Sequence, residues 1–280
     1  MGTIINILGL SLIASMGTGL GGLIAVLRKP GQRTFGFLMG FTAGVMITLS
    51  FLELVNEAWQ SAGFLTATIG FGGGALFMFL IDFLTPHIRF AEEEIDGLGK
   101  QIQPDNDACP RQRRFGRHRR RRTRRPANIQ DRRLYMTGIL IAIGIAIHNT
   151  PEGIAVGAGY IYEPRFGLVI ALAITLHNIP EGIATALPLF KSGLGQWAAF
   201  RTALFSGLTE PIGALLAALF LANYKALVPG ALAFAGGVMT FITLDELIPC
   251  AREYGHQHFT AMGIITGAIS VFLLSGIFQV

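Results

Sequence analysis

The chain has 280 residues, of which 51% are hydrophobic and only 14% charged, with a mean hydropathy of +0.53. Soluble globular domains carry about 25% charged residues, so a soluble fold is excluded. Apolar runs of about 20 residues, long enough to cross ~30 Å of hydrocarbon as helices, recur along nearly the whole sequence. The formal net charge of +5 comes with a sharply uneven placement of Lys and Arg. Two cysteines, Cys109 and Cys250, are too few for a disulfide framework and lack the C-x-x-C spacing of a structural zinc site.

In chain order, membrane-crossing helices are expected at about 4–27, 35–57, 63–85, 134–158, 166–190, 198–221, 228–250 and 258–279. The first, from Met1 to Leu27, has no positive n-region and no A-x-A cleavage site, so it reads as a spanning helix and not a removable leader. Its G-T-G-L-G-G stretch from Gly17 matches G-x-G-x-x-G, but no strand–helix unit surrounds it. Like Gly36, Gly40 and Gly44 in the second helix, these small residues suit close helix packing. The expectation is an all-α polytopic membrane protein, a single transmembrane domain over 1–280.

The one long connection, 86–133, holds an acidic cluster (Glu92, Glu93, Glu94, Asp96) and then an Arg-rich run from Arg111 to Arg125. It is too polar to build a core and is expected to be disordered. Within the Arg run only Phe115 offers an aromatic ring, and no nucleic-acid-binding fold surrounds it. The run reads as a topology signal in contact with anionic lipid headgroups, not as a nucleic-acid site. Counting Lys and Arg on alternate sides of the eight helices gives 20 against 2, and 6 against 2 without the long loop. By the positive-inside rule the long loop is then cytoplasmic and both termini face outward.

Two internal repeats are visible. F-T-A-G-V-M-I-T-L-S-F-L-E-L from Phe41 matches F-A-G-G-V-M-T-F-I-T-L-D-E-L from Phe234 at an offset of 193, superposing Gly44 on Gly237 and Glu53 on Glu246. I-H-N-T-P-E-G-I-A in the fourth helix repeats as L-H-N-I-P-E-G-I-A in the fifth at an offset of 29. In both cases the paired helices cross in opposite directions, so the repeats are inverted, a common plan for alternating-access transporters.

Ionisable groups are costly in a bilayer, at about 2.5–3.5 kcal/mol for an Asp at its centre. The predicted helices nonetheless contain Glu53, Asp82, Glu152, Glu181, Glu210, Asp245 and Glu246, with His148 and His177 and no deep Lys or Arg. Protons or a metal ion must offset them. His148 and Glu152 are four apart and share a helix face, as do His177 and Glu181. Asn149 and Asn178 each add a carbonyl oxygen beside a histidine. Such nitrogen and oxygen donors suit Zn²⁺, Fe²⁺, Mn²⁺ or Co²⁺, and the lack of nearby thiolates argues against Cu⁺. Pro151 and Pro180 lack an N–H, freeing the carbonyls of Ile147 and Leu176 toward a protein-lined cavity, and Glu210 before Pro211 sets a third carboxylate at a kink.

The twin H-N-T-P-E-G and H-N-I-P-E-G blocks from His148 and His177, with G-L-T-E-P around Glu210 and D-E-L-I-P at Asp245, resemble the ZIP (Zrt/Irt-like) metal transporters, and within them the bacterial zinc-uptake branch. The resemblance covers most of the chain. It implies a homodimer in the bacterial inner membrane that carries Zn²⁺ inward, with Fe²⁺, Mn²⁺, Co²⁺ and Cd²⁺ as further substrates and no organic cofactor. It also implies a binuclear centre between the fourth and fifth helices and an elevator-like motion of the helices that hold it. One ion would use Glu53, His148, His177 and Glu181; the second would use Asn149, Glu152, Asn178, Glu181 and Glu210, with bridging carboxylates. Many members carry a histidine-rich loop between the third and fourth helices; here it has only His118, with His87 at its start.

Asp245, Glu246 and Glu57 are candidates for an entry or exit path, with helix capping as the alternative. Asp82 with His87, and His256 with His258, read as solvated helix ends, and Cys250 as a packing residue. An intramembrane metallohydrolase would need H-E-x-x-H, which is absent, so an enzyme is not expected. An exporter or channel-like facilitator would use similar ligands, and only the resemblance favours uptake. Without a P-loop the sequence offers no direct ATP drive.

Overall fold

A computed structural model describes residues 2–28, 30–84, 132–254 and 257–280. The acidic cluster, the Arg run, His87, Cys109, His118 and His256 lie outside the described residues. Among those described, all regular structure is helical: α1 (Gly2–Arg28), α2 (Gln32–Thr48), α3 (Asn56–Leu84), α4 (Arg132–Tyr162), α5 (Pro164–Lys191), α6 (Gln196–Gly207), α7 (Thr209–Leu221), α8 (Val228–Ile242), α9 (Ile248–Tyr254) and α10 (Gln257–Phe278). Two π-helical turns, Leu49–Val55 and Thr243–Leu247, join α2 to α3 and α8 to α9.

Among the described residues, seven helical stretches are long and apolar enough to cross a membrane. One of them, Gln32–Leu84, runs for 53 residues, about 80 Å at 1.5 Å per residue, more than twice the hydrocarbon thickness. It breaks at Gly63, whose φ of 83° and ψ of 165° are open to glycine at no steric cost. The break falls at the start of the third helix read from the sequence.

Backbone contact through glycine sets the packing. A Cβ on Gly21 would lie 1.9 Å from the Ile179 carbonyl oxygen, and one on Gly182 1.9 Å from that of Thr18. α1 and α5 therefore touch backbone to backbone, as small residues allow. Gly17 meets Thr175 and Gly22 meets Ala186, so residue numbers rise together and the two helices run the same way. Gly153 and Gly213 do the same for α4 and α7, Gly44 and Gly267 for α2 and α10, and Gly74 and Gly237 for α3 and α8. α4 and α5 run oppositely: Gly138 meets Leu189, and Gly159 meets Gly167. The G-x-G-x-x-G stretch at Gly17 is thus a packing surface, as its sequence context requires.

The offset of 193 reaches further than the α2–α8 match. Gly70, Gly74, Ala75, Phe79 and Leu80 of α3 align with Gly263, Gly267, Ala268, Phe272 and Leu273 of α10. The contacts follow the same exchange, because α2 packs on α10 as α8 packs on α3. The π turns also superpose: Ser50 to Leu54 falls on Thr243 to Leu247.

Two bundles result. α1, α4, α5, α6 and α7 pack mainly on one another, and α2, α3, α8, α9 and α10 on one another. The bundles meet where α4 lies along α8 and α2 along α5. Large apolar side chains such as Phe64, Ile69, Phe83, Leu216, Ile265 and Phe272 point outward, as a lipid-facing surface requires.

A Gly182→Ala substitution is expected to destabilise the detergent-solubilised protein by about 1–3 kcal/mol, the range for overpacking. Gly72→Ala, where a Cβ meets open space, should leave the apparent Tm unchanged. Equal melting curves for the two variants would remove the backbone-contact argument.

Candidate metal centre

The antiparallel crossing of α4 and α5 brings the two H-N-x-P-E-G blocks to one level in the core of the first bundle. Both helices run through their prolines, Pro151 and Pro180, without a break. His148, Asn149, Glu152, His177, Asn178, Glu181 and Glu210 are all at least 97% buried. The carboxylate of Glu210 arrives from a break in the sixth predicted span. α6 ends at Gly207, Leu208 turns, and α7 begins at Thr209, so Glu210 sits in the first turn of a new helix. There the unpaired N–H groups of a helix start favour a negative charge.

Glu152, His177 and Glu181 form the tightest group, with one ligand atom from each within 4.8 Å of the others. His177 Nε2 and Glu152 Oε1 are 3.1 Å apart. A tetrahedral site with metal–ligand bonds of about 2.0–2.1 Å has edges of roughly 3.3–3.4 Å, so this pair already has ligand spacing. Glu210 lies within electrostatic reach of Glu152 and Glu181, and His148 within that of Glu152 and His177. Among the described residues no lysine or arginine pairs with these carboxylates.

The two asparagines are fixed by their amino groups. Asn178 Nδ2 donates to the Ala14 carbonyl of α1 at 3.0 Å and to Glu210 Oε2 at 2.9 Å. Asn149 Nδ2 donates to the Ser206 carbonyl of α6 at 3.2 Å. Each amide oxygen is left free. Twelve buried side-chain N and O atoms among the described residues have no hydrogen-bond partner, and nine belong to this centre: both nitrogens of His148, Nδ1 of His177, the amide oxygens of Asn149 and Asn178, Oε2 of Glu152, both oxygens of Glu181 and Oε1 of Glu210. Orphaned polar atoms are rare in folded interiors, and each costs about 1–3 kcal/mol or more. Their concentration here, as nitrogen and oxygen donors around uncompensated carboxylates, is the donor chemistry of a divalent cation.

The other sequence candidates lie elsewhere. Glu53, in the first π turn, is buried but accepts a hydrogen bond from Ser275 Oγ of α10. His148 lies outside the tight trio, though within electrostatic reach of it. Glu57 is half-buried and lies near the Tyr162 hydroxyl. In the second π turn Asp245 is exposed, and Glu246 is half-buried and within electrostatic reach of Glu181. Asp82, expected at a solvated helix end, is only 6% exposed. His258 is exposed and Cys250 half-buried. Sequence reasoning missed Ser275 and also Thr42, whose hydroxyl donates to the His177 carbonyl at 3.2 Å and links the two bundles. Serine and threonine in apolar helices usually bond their own backbone, so nothing in the sequence marks these two.

Comparison with protein families matches residues 89–275 to the family described as ZIP zinc transporter. The chain belongs to the ZIP family. It is 37% identical to the zinc transporter ZupT of Chlorobium limicola, covering 96% of this chain and 97% of that one. It is also 37% identical to ZupT of Lysinibacillus sphaericus over 98% and 99% of the two chains. A plant relative, the zinc transporter ZTP29 of Arabidopsis thaliana, is 36% identical over 93% of this chain and 90% of its own. The ZIP chain is therefore a multi-pass membrane transporter and not an enzyme.

Zinc binding to the solubilised ZIP chain, followed by titration calorimetry, is expected to weaken at least about tenfold in Glu152→Gln. Arg201→Ala, at an exposed position, should bind as the parent does. Parent-like affinity in Glu152→Gln would exclude Glu152 as a ligand.

Proposed function

We propose that this protein carries Zn²⁺ into the cytoplasm through a binuclear centre between α4 and α5, with Fe²⁺, Mn²⁺, Co²⁺ and Cd²⁺ as further substrates. The observation that carries the reading is the cluster of nine orphaned nitrogen and oxygen donors around Glu152, His177 and Glu181. His148, His177 and Glu181 hold the first ion. Asn149, Glu152, Asn178, Glu181 and Glu210 hold the second, and shared carboxylates bridge the pair. The names of the zinc-transporting relatives support the substrate.

Eight crossings with both termini outside are the topology we propose. α1 and α5 run the same way, which requires an odd number of crossings between them and is satisfied when Gln32–Leu84 crosses twice and α4 once. The Lys and Arg distribution supports the orientation, with the Arg-rich segment 86–133 of the single transmembrane domain on the cytoplasmic side and the protein in the bacterial inner membrane. A homodimer is part of the same reading.

Transport proceeds by an elevator-type motion. All the clustered donors ride on α4, α5 and α7, in the first bundle, whereas Glu53 stands on the second. Sliding the first bundle along the second exposes the ions to each side in turn and brings Glu53 to the first ion. Glu57 lies on the entry side and Asp245 and Glu246 on the exit side. The ion loses its water to the imidazoles and carboxylates in their deprotonated forms, so protons compete with metal and binding weakens as pH falls.

Zinc entry into proteoliposomes is expected to saturate and to be lost in the His177→Ala, Glu181→Ala variant. Entry that persists in that variant places the pathway elsewhere, and no entry in the folded parent favours an exporter. A second expectation concerns acid: entry should fall as pH drops through about 6.5, the ordinary histidine range. Undiminished entry at about pH 5 would count against imidazole ligands.

A further inference from the structure

We propose that Thr42 is a positioning residue for transport: its hydroxyl latches the backbone of His177, and with it the first bundle, to the second bundle in the arrangement seen here. The role rests on the proposed sliding of the two bundles, but the latch itself follows from packing. Thr42 on α2 and His177 on α5 are both fully buried where the bundles meet, and the Thr42 hydroxyl donates to the His177 carbonyl at 3.2 Å.

Threonine inside a helix commonly donates to the carbonyl four residues earlier on its own helix. Thr175, Thr185, Thr202, Thr240 and Thr243 all do so. Thr42 crosses instead to the other bundle. Its partner carbonyl belongs to the residue whose Nε2 stands 3.1 Å from Glu152 Oε1. One residue further on, Asn178 is tied to Ala14 and Glu210. Whatever restrains the His177 backbone therefore restrains the donor cluster as a body.

The internal repeat makes this latch one-sided. The offset of 193 carries Thr42 onto Ala235 of α8, and the offset of 29 relates His177 to His148 of α4. α8 lies along α4 as α2 lies along α5, so the two interfaces between the bundles are counterparts. Ala235 is fully buried like Thr42, but it has no hydroxyl to donate. Sliding a carrier built on inverted repeats from one facing state to the other exchanges such counterpart interfaces. The arrangement seen here thus has a buried hydrogen bond that its counterpart lacks, and the bond makes it the more stable of the two. The bond must open before the bundles slide, which makes departure from this state the slow step of the cycle.

Thr42→Val keeps the shape of the side chain and removes the donor, Thr42→Ala removes the donor with less bulk, and Thr42→Ser keeps it. In proteoliposomes Thr42→Val and Thr42→Ala should raise maximal zinc entry about three- to tenfold, the change expected for one net hydrogen bond. Thr42→Ser should carry zinc as the parent does. Zinc affinity by titration calorimetry should stay near the parent's in all three, because the hydroxyl bonds a backbone carbonyl and not a metal donor. Maximal entry equal to or below the parent's in folded Thr42→Val and Thr42→Ala overturns the latch and leaves the sliding motion standing. A Thr42→Ser variant that behaves as Thr42→Val does overturns it too, since packing alone then accounts for the position. A parent that binds zinc yet carries none removes the transport reading, and the role of Thr42 with it.

Discussion

Three carboxylates, Glu152, Glu181 and Glu210, meet in the centre of a helix bundle where, among the described residues, no lysine or arginine pairs with them. Gathering such charges away from water is among the most expensive arrangements available to a protein. The rest of the first bundle is arranged around that expense. α6 stops so that α7 can begin beneath Glu210. Asn149 and Asn178 spend their amino groups on backbone carbonyls of α6 and α1, turning their oxygens inward. The cluster is thus rich in donors but uncompensated in charge, and under the proposed function a divalent ion would supply what is missing.

The anchoring of the two asparagines follows the internal symmetry. Asn178 of α5 is held by Ala14 of α1, and Asn149 of α4 by Ser206 of α6, so each half of the repeat fixes the other's amide. The same exchange pairs α2 with α10 and α3 with α8. The halves also differ: Ser275 stands where the other half has Asp82, and α1 is unbroken where the sixth span divides into α6 and α7.

Much of this was legible in the sequence. Helix positions followed from apolar runs, and the glycine stretch at Gly17 was readable as a packing surface because no strand preceded it. The spacing of His148 to Glu152 and of His177 to Glu181 put the ligands on shared faces before any fold was known. Other features left no mark. A π turn adds one residue to a helical turn without any compositional signature, so those at Leu49 and Thr243 were invisible. The burial of Asp82 was unmarked too, because a carboxylate near a helix end looks the same in sequence whether solvated or enclosed. The hydrogen bond from Ser275 to Glu53 spans 222 residues, beyond any local pattern.

The glycine contacts bear on how ions are sorted. Helices that touch backbone to backbone, as α1 does with α5 and α4 with α7, leave no side chains between them to yield. Donors mounted on such a frame cannot spread to suit a larger ion unless whole helices part. A single added methyl at Gly153 or Gly182, each next in sequence to a carboxylate of the proposed centre, would force those helices apart and move the donors they carry.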